Sequence, residues 1–196
     1  MPMPTQKPQG PRPHGPRPKA PRKVTPARLE RWALAYLERF SASAESLKRV
    51  LMRRVDRSAK AHGTDREADG RLVEALIERY LANGLLNDRR FAEGRVAALR
   101  RRGASGHSIR QRLAAKGVAR EVIQDTLAQA PGDLAAAAAL ARRRRLGPYR
   151  PAENRAANQE RDLAALARGG FGYDVARKVI EAESVDALTA LVGEAG

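Results

Sequence analysis

A helical unit that occurs twice constrains this chain more than any single segment. Leu113-Ala114-Ala115-Lys116-Gly117-Val118 aligns with Leu166-Ala167-Arg168-Gly169-Gly170-Phe171 at an offset of 53 residues. The same offset pairs Glu121 with Asp174, Val122 with Val175 and Leu127 with Ile180. Each copy reads as a helix, a glycine that ends it, one apolar anchor and a second, short helix. Gly117 and Gly170 suit the left-handed backbone that closes a helix, with Val118 and Phe171 packing back across the turn. Ahead of them lie Phe91, Ala92, Val96 and Leu99 in one copy, and Leu134, Ala137, Ala138 and Ala141 in the other, both at helical spacing. Two three-helix units follow, over 88–128 and 132–182. Each is too small to bury a sufficient core alone, so neighbours must stack in a row. Such a row is elongated, and its long concave flank suits a groove or a filament better than a small enclosed substrate.

The segment 27–84 has the same three-helix count. Thr25 followed by Pro26 is an N-cap with proline at the first helical position. Leu29, Trp32, Ala33, Tyr36, Leu37 and Phe40 then form one apolar stripe of a helix near 27–40. Leu47, Val50, Leu51 and Val55 give a second stripe. Thr64-Asp65-Arg66-Glu67 reads as a capping box opening a third helix. Its stripe of Leu72, Val73, Leu76, Ile77, Tyr80 and Leu81 ends at Asn83-Gly84. A long hydrophilic connector, Arg57 to Asp69, separates the second and third helices. Val185, Leu188, Leu191 and Val192 give a last amphipathic turn. No segment alternates with period two, so the expected fold is all-α. It divides into repeat 1 over 27–84, repeat 2 over 85–130, and repeat 3 with a C-terminal cap helix over 131–196.

Residues 1–26 stand apart. They hold nine of the chain's 12 prolines and six basic residues with no acid. With almost nothing to bury, this segment is expected to be a disordered, locally PPII-like basic arm. The whole chain of 196 residues carries Lys+Arg 38 against Asp+Glu 22, a net charge of +16. That balance favours polyanions or an acidic protein surface as partners. There is no cysteine, which rules out disulfides, Cys-ligated zinc and a thiolate nucleophile. No apolar run approaches the roughly 18 residues of a membrane helix. The basic N-terminus has no apolar h-region and is broken by proline, so a soluble cytoplasmic protein is expected.

Three arginine clusters are the candidate partner or nucleic-acid contacts: Arg53-Arg54, Arg100-Arg101-Arg102 and Arg142-Arg143-Arg144-Arg145, with Lys116 beside them. Their guanidinium forks can hold phosphates or carboxylates bidentately. The competing reading is that they end helices and complement the dipole, contributing about 0.3–1 kcal/mol each. Four consecutive arginines must point around most of a helix, so some should lie near neighbouring units or a partner. Asp88 is expected to cap the helix that begins near Arg89. Phe91, Phe171, Trp32, Tyr36 and Tyr80 fall at core spacing, and Tyr149 reads as a turn anchor. His14, His62 and His107 lie at no metal-ligand spacing, and none has a fixed carboxylate partner. Ser105 and Ser108 flank His107 at a helix start, where serine ordinarily caps. Gly103-Ala104-Ser105-Gly106 lacks the strand before it and the Lys-Ser/Thr after it that a phosphate loop needs. The expectation is no enzyme, no cofactor and no metal.

The run Gly84-Leu85-Leu86-Asn87-Asp88-Arg89-Arg90-Phe91-Ala92 resembles the RecX regulatory proteins of bacterial recombination. Their second repeat opens with G-(Y/L)-(L/I)-(D/N)-D-x-(R/K)-(F/Y)-A. Arg101 to Gly106, then Ile109, Leu113 and Lys116-Gly117-Val118, follow the same pattern, as does Gly170-Phe171-Gly172-Tyr173. The resemblance covers about 27–182. It implies three tandem three-helix repeats and a monomer that binds RecA and the RecA–single-stranded DNA filament. It further implies lodging in the filament groove and inhibiting strand exchange and ATP hydrolysis in DNA repair and the SOS response. The chain departs from the family pattern in its connector 56–69 and its proline-rich arm. A runner-up is a sequence-tolerant nucleic-acid-binding protein, since Ile109–Leu127 outlines a helix-turn-helix. Against it, the second helix there exposes Glu121 and Asp125 beside Arg120 and Gln124, and two acids would repel phosphates.

Overall fold

A computed structural model describes residues 21–195. Ten α-helices follow one another: α1 Pro26–Leu37, α2 Ala44–His62, α3 Arg66–Ala82, α4 Asp88–Arg101, α5 Gly106–Ala114, α6 Arg120–Ala128, α7 Asp133–Arg144, α8 Arg155–Arg168, α9 Tyr173–Ile180 and α10 Val185–Glu194. Two short 3-10 turns, Gly147–Tyr149 and Ala152–Asn154, lie between α7 and α8. There is no strand among the described residues, and the fold is all-α as its periodicity predicts. No helix there is long and apolar enough to cross a membrane.

Helix starts are written in short polar side chains that satisfy the first free N–H groups. Thr25, Ser43, Asn87, Ser105 and Ser184 each accept from the backbone N–H three residues on. Two expected caps shift by one residue. Asp65 rather than Thr64 caps α3, its Oδ1 accepting from Glu67 N at 2.8 Å and Ala68 N at 3.1 Å. Asn87 caps α4 through Arg90 N at 2.9 Å, which leaves the Asp88 carboxylate for another role.

The apolar stripes gather into three buried clusters. Leu29 and Ala33 of α1, Leu47, Leu51 and Val55 of α2, and Val73, Ile77 and Tyr80 of α3 form the first. Phe91, Val96 and Leu99 of α4, Ile109 and Leu113 of α5, Val118, and Ile123 of α6 form the second. Ala137 and Leu140 of α7, Leu166 of α8, Phe171, Val179 of α9 and Leu188 of α10 form the third. Burying a leucine such as Leu47 or Leu166 fully contributes about 1.5–3 kcal/mol, and each cluster has several such residues. The two aligned glycines behave as the repeat predicts. Gly117 has φ +75 and Gly170 φ +84. The following N–H returns to the helix, from Val118 to Leu113 O and from Phe171 to Leu166 O.

Several expectations are corrected. α1 stops at Leu37, three residues early, and Phe40 is 51% exposed instead of lying on the stripe. The long connector between the second and third helices is mostly helix. α2 continues to His62 because Ser58 falls on its buried face one turn after Val55, so only Gly63, Thr64 and Asp65 link it to α3. Residues 1–20 of the proline-rich arm lie outside the described residues. Its last part is packed: Val24 is buried, its N–H donates to Ser58 Oγ at 3.0 Å, and His62 Nε2 lies 2.7 Å from Pro21 O.

Tyr149 anchors a turn, as expected, packed against the third cluster. Beneath that turn Asp162, 1% exposed, accepts from Gly147 N at 2.9 Å and from Arg150 Nε and Nη2, both at 2.7 Å. Burial alone would raise the Asp162 carboxyl, but the Arg150 fork and the Gly147 N–H hold it below the ordinary aspartate range.

Candidate functional site

The three clusters meet at two seams, and the seams share one set of backbone contacts. At the first, Ser43, the N-cap of α2, donates its hydroxyl to Lys116 O at 2.6 Å. Asp88, the first residue of α4, accepts from Ala44 N at 2.8 Å. A Cβ on Gly117 would collide with the Glu45 side chain. At the second, Ser105, the N-cap of α5, donates to Gly169 O at 2.8 Å. Asp133, the first residue of α7, accepts from Gly106 N at 2.8 Å. A Cβ on Gly170 would stand 2.7 Å from Ser105 Oγ, with His107 also in contact. Position by position, Ser43 corresponds to Ser105, Asp88 to Asp133 and Gly117 to Gly170. In each seam a carboxylate from the following helix group satisfies a free N–H at a helix N-terminus, where the helix dipole also favours negative charge. Asp88 therefore caps α2, not the helix it begins.

The side chains around the two joints differ. Arg100 is buried beside the second seam, where it pairs with Asp133 and donates to Ala104 O at 3.1 Å. Gly103, with φ +74, lets α7 approach closely, since a Cβ there would lie 2.6 Å from Leu140 N and 2.8 Å from Ala136 O. Ser41 holds the corresponding place before Ser43 in the first seam.

Each joint borders an open cleft. The first, about 330 Å³, is lined by Tyr36, Arg39, Phe40, Phe91, Arg95 and Lys116 among others. Its Tyr36 and Phe40 rings are 5.1 Å apart, and the Arg39 guanidinium lies 5.8 Å from the Phe40 ring. The second, about 280 Å³, is lined by Arg102, Arg112, Arg143, Arg144 and Arg168 over a floor that includes Leu99, Gly103 and Leu140. Among the described residues no carboxylate lines either cleft.

The predicted arginines are thus dispersed. Arg102, Arg143 and Arg144 enter the second cleft, and Lys116 lines the first. Arg101, Arg142 and Arg145 are exposed outside both. The four arginines from 142 to 145 do not encircle a helix: α7 ends at Arg144 and Arg145 takes a left-handed φ of 54°. All four are exposed, Arg143 and Arg144 within the second cleft beside α5 and α8. Arg53 is exposed on α2. Arg54 lies with its guanidinium 4.8 Å from the Trp32 ring, and burial, with Arg57 nearby, lowers its pKa from the ordinary arginine range. Arg100 departs furthest from the expected role, because its guanidinium is buried against Asp133.

Sequence reading missed Arg112 and Arg168, which complete the second cleft, and Arg39, Phe40 and Arg95, which line the first. Arg112 and Arg168 stand singly: Arg112 directly precedes the Leu113–Val118 copy and Arg168 lies within the Leu166–Phe171 copy, at positions the 53-residue offset does not pair, so the sequence gives no common signal for them. The outward face of α6 is as expected: Arg120, Glu121, Gln124 and Asp125 are exposed, and Asp125 pairs with Arg89 at 2.8 Å. Among the described residues no group of three His, Cys, Asp or Glu side chains is placed to hold a metal ion.

A family model described as RecX, second three-helix domain, matches residues 87–127, the span of α4 to α6. The chain is 47% identical over 160 residues to the regulatory protein RecX of Myxococcus xanthus, covering 80% of this chain and 86% of that protein. It is 39% identical over 95 residues to the regulatory protein RecX of Agrobacterium fabrum, 48% of this chain and 51% of the relative. It is 34% identical over 113 residues to that of Trichlorobacter lovleyi, 56% and 73% respectively. No solved structure gives a significant match.

Proposed function

The chain belongs to the RecX family of regulatory proteins, and on that premise we propose that it binds RecA and the RecA filament on single-stranded DNA. Binding restrains recombinase activity and the coupled ATP hydrolysis during DNA repair and the SOS response. The protein acts as a cytoplasmic monomer, without a cofactor and without catalysis of its own. In this reading the three buried clusters are three-helix repeats, 27–84, 85–130 and 131–196, stacked into an elongated array behind the basic arm. The family relationship across four-fifths of the chain carries the proposal. The geometry supports a binding role: Arg53, Arg101, Arg142 and Arg145 are exposed along successive helix groups, beside clefts lined with further basic residues. Carboxylates on a partner filament can engage such forks two bonds at a time.

The test is RecA-dependent ATP hydrolysis on single-stranded DNA. Substoichiometric protein should slow it, and changing Arg142 to Arg145 to Gln should weaken the inhibition while the helical circular dichroism signal is kept. An unaltered hydrolysis rate at equimolar protein overturns the proposal. A second reading, direct sequence-tolerant contact with DNA, draws support from the exposed Phe40 ring beside Arg39 in the first cleft, since such a ring can stack on a base. In that case binding weakens with salt at a slope of about −0.7 per phosphate contact.

A further inference from the structure

The five arginines of the second cleft come from four elements on both sides of the seam. Arg102 is the C-cap of α4, Arg112 lies in the last turn of α5, Arg143 and Arg144 in that of α7, and Arg168 in that of α8. None of the five makes an ion pair or donates a side-chain hydrogen bond among the described residues, whereas Arg49, Arg66, Arg79, Arg89, Arg150 and Arg177 all reach a carboxylate.

Complementing helix dipoles accounts for part of this charge. A helix C-terminus presents about half a negative elementary charge, so four of them offset about two of the five positive charges. About three remain, converging on one cleft of about 280 Å³. That volume falls just below the range of about 300 to 1,000 Å³ that holds drug-sized ligands, so only a small anion fits. A phosphoryl group carries about −1.5 to −2 at neutral pH, so two linked phosphoryl groups match the unbalanced charge within the space available. Guanidinium forks are suited to bind their oxygens bidentately. The first cleft has three basic side chains and two rings tilted 40° to each other in place of five arginines, and lacks this charge density.

We propose that the second seam is a binding site for a compact diphosphate group, carried by inorganic pyrophosphate or by the tail of a nucleoside diphosphate. The site is assembled by Gly103, whose missing Cβ lets α7 approach closely, so that Arg143 and Arg144 line the same cleft as Arg102. It does not rest on a recombinase partner, and its test contains none, so its failure leaves the function proposed above standing.

The experiment is isothermal titration calorimetry on the full chain with pyrophosphate, adenosine diphosphate, sulfate and an oligo-dT strand. Pyrophosphate should bind at one site at least about tenfold tighter than sulfate. The double variant Arg112→Gln/Arg168→Gln should weaken it about tenfold or more, by removing charge-assisted hydrogen bonds from both sides of the seam. The charge-matched Arg31→Gln/Arg71→Gln, on exposed positions of α1 and α3, should leave the affinity unchanged. Adenosine diphosphate binding as tightly as pyrophosphate identifies the phosphates as the recognised group, and tighter binding adds contacts to the nucleoside. The proposal is overturned if sulfate binds as well as pyrophosphate, if both double variants lose affinity equally, or if oligo-dT binds more tightly and displaces pyrophosphate. Circular dichroism and thermal melts of each variant check that the fold is retained.

Discussion

Asp88 and Asp133 occupy the same place in two equivalent joints, yet they carry different burdens. Asp88 accepts one backbone N–H and closes the first seam. Asp133 accepts the corresponding N–H and also balances Arg100, which is 8% exposed. The glycines differ in the same way. Gly103 lets two backbones approach in the second seam, where Ser41 suffices in the first. One backbone joint has thus been kept at both seams, while the side chains around it have diverged. The first seam is part aromatic; the second brings two backbones together at Gly103, is pinned by a buried ion pair and is edged with arginine.

That contrast can be broken most forcefully at Gly103. Gly103→Ala puts a Cβ into a left-handed backbone, which costs about 1–2 kcal/mol, and against the α7 main chain, which adds about 1–3 kcal/mol of overpacking. A loss of about 4 kcal/mol is expected, roughly 8–16 °C in Tm for a chain of this size. Gly84→Ala is the internal reference: its φ is +75 but nothing lies within 4 Å of the added Cβ, so only the backbone penalty should appear. Equal losses at the two glycines would mean that the close approach of α7 is not needed.

Next in size is the pair of carboxylates. Asp133→Ala removes a cap and strands a buried guanidinium, for a loss of about 3 kcal/mol, the low end for a broken buried pair because Asp133 is 32% exposed. Asp88→Ala removes a cap alone and should cost about 1 kcal/mol in the same urea titration. Matching values would show that Arg100 contributes nothing to the asymmetry.

The smallest readout is a pH dependence away from both seams, which tests whether ion pairing is a general device in this fold. Asp162 has its folded pKa depressed, so its stabilising contribution is present above the unfolded value of about 3.9 and is lost as pH falls through the lower folded value. Thermal melts across that acidic range should show a decline that is shallower in Asp162→Asn. An identical acid limb in the variant would assign the decline to other carboxylates.

Much of the architecture is legible in the residue order itself. Thr25, Ser105 and the glycine pair 117 and 170 do locally what their residue types dictate, because a cap or a left-handed turn involves only a few consecutive residues. Phe40 and the extent of α2 depart from the periodicity for a related reason. Periodicity marks which face is apolar, but where a helix stops depends on what it packs against, and Ser58 is buried through its bond to Val24 N, 34 residues away. Asp88 reads as a cap of its own helix because a sequence displays its neighbours along the chain and not across a seam.

The amino-acid order by itself determined that the chain is helical, where most of its turns fall, and that it is basic. The tertiary structure decided which charges meet. Arg102, Arg112, Arg143 and Arg168 lie up to 66 residues apart, and they share a cleft because α7 and α8 are held against α4 and α5. Arg100 and Arg101 are chain neighbours with opposite fates, one buried and one exposed, because successive residues on a helix point about 100° apart and only one of those directions faces the seam.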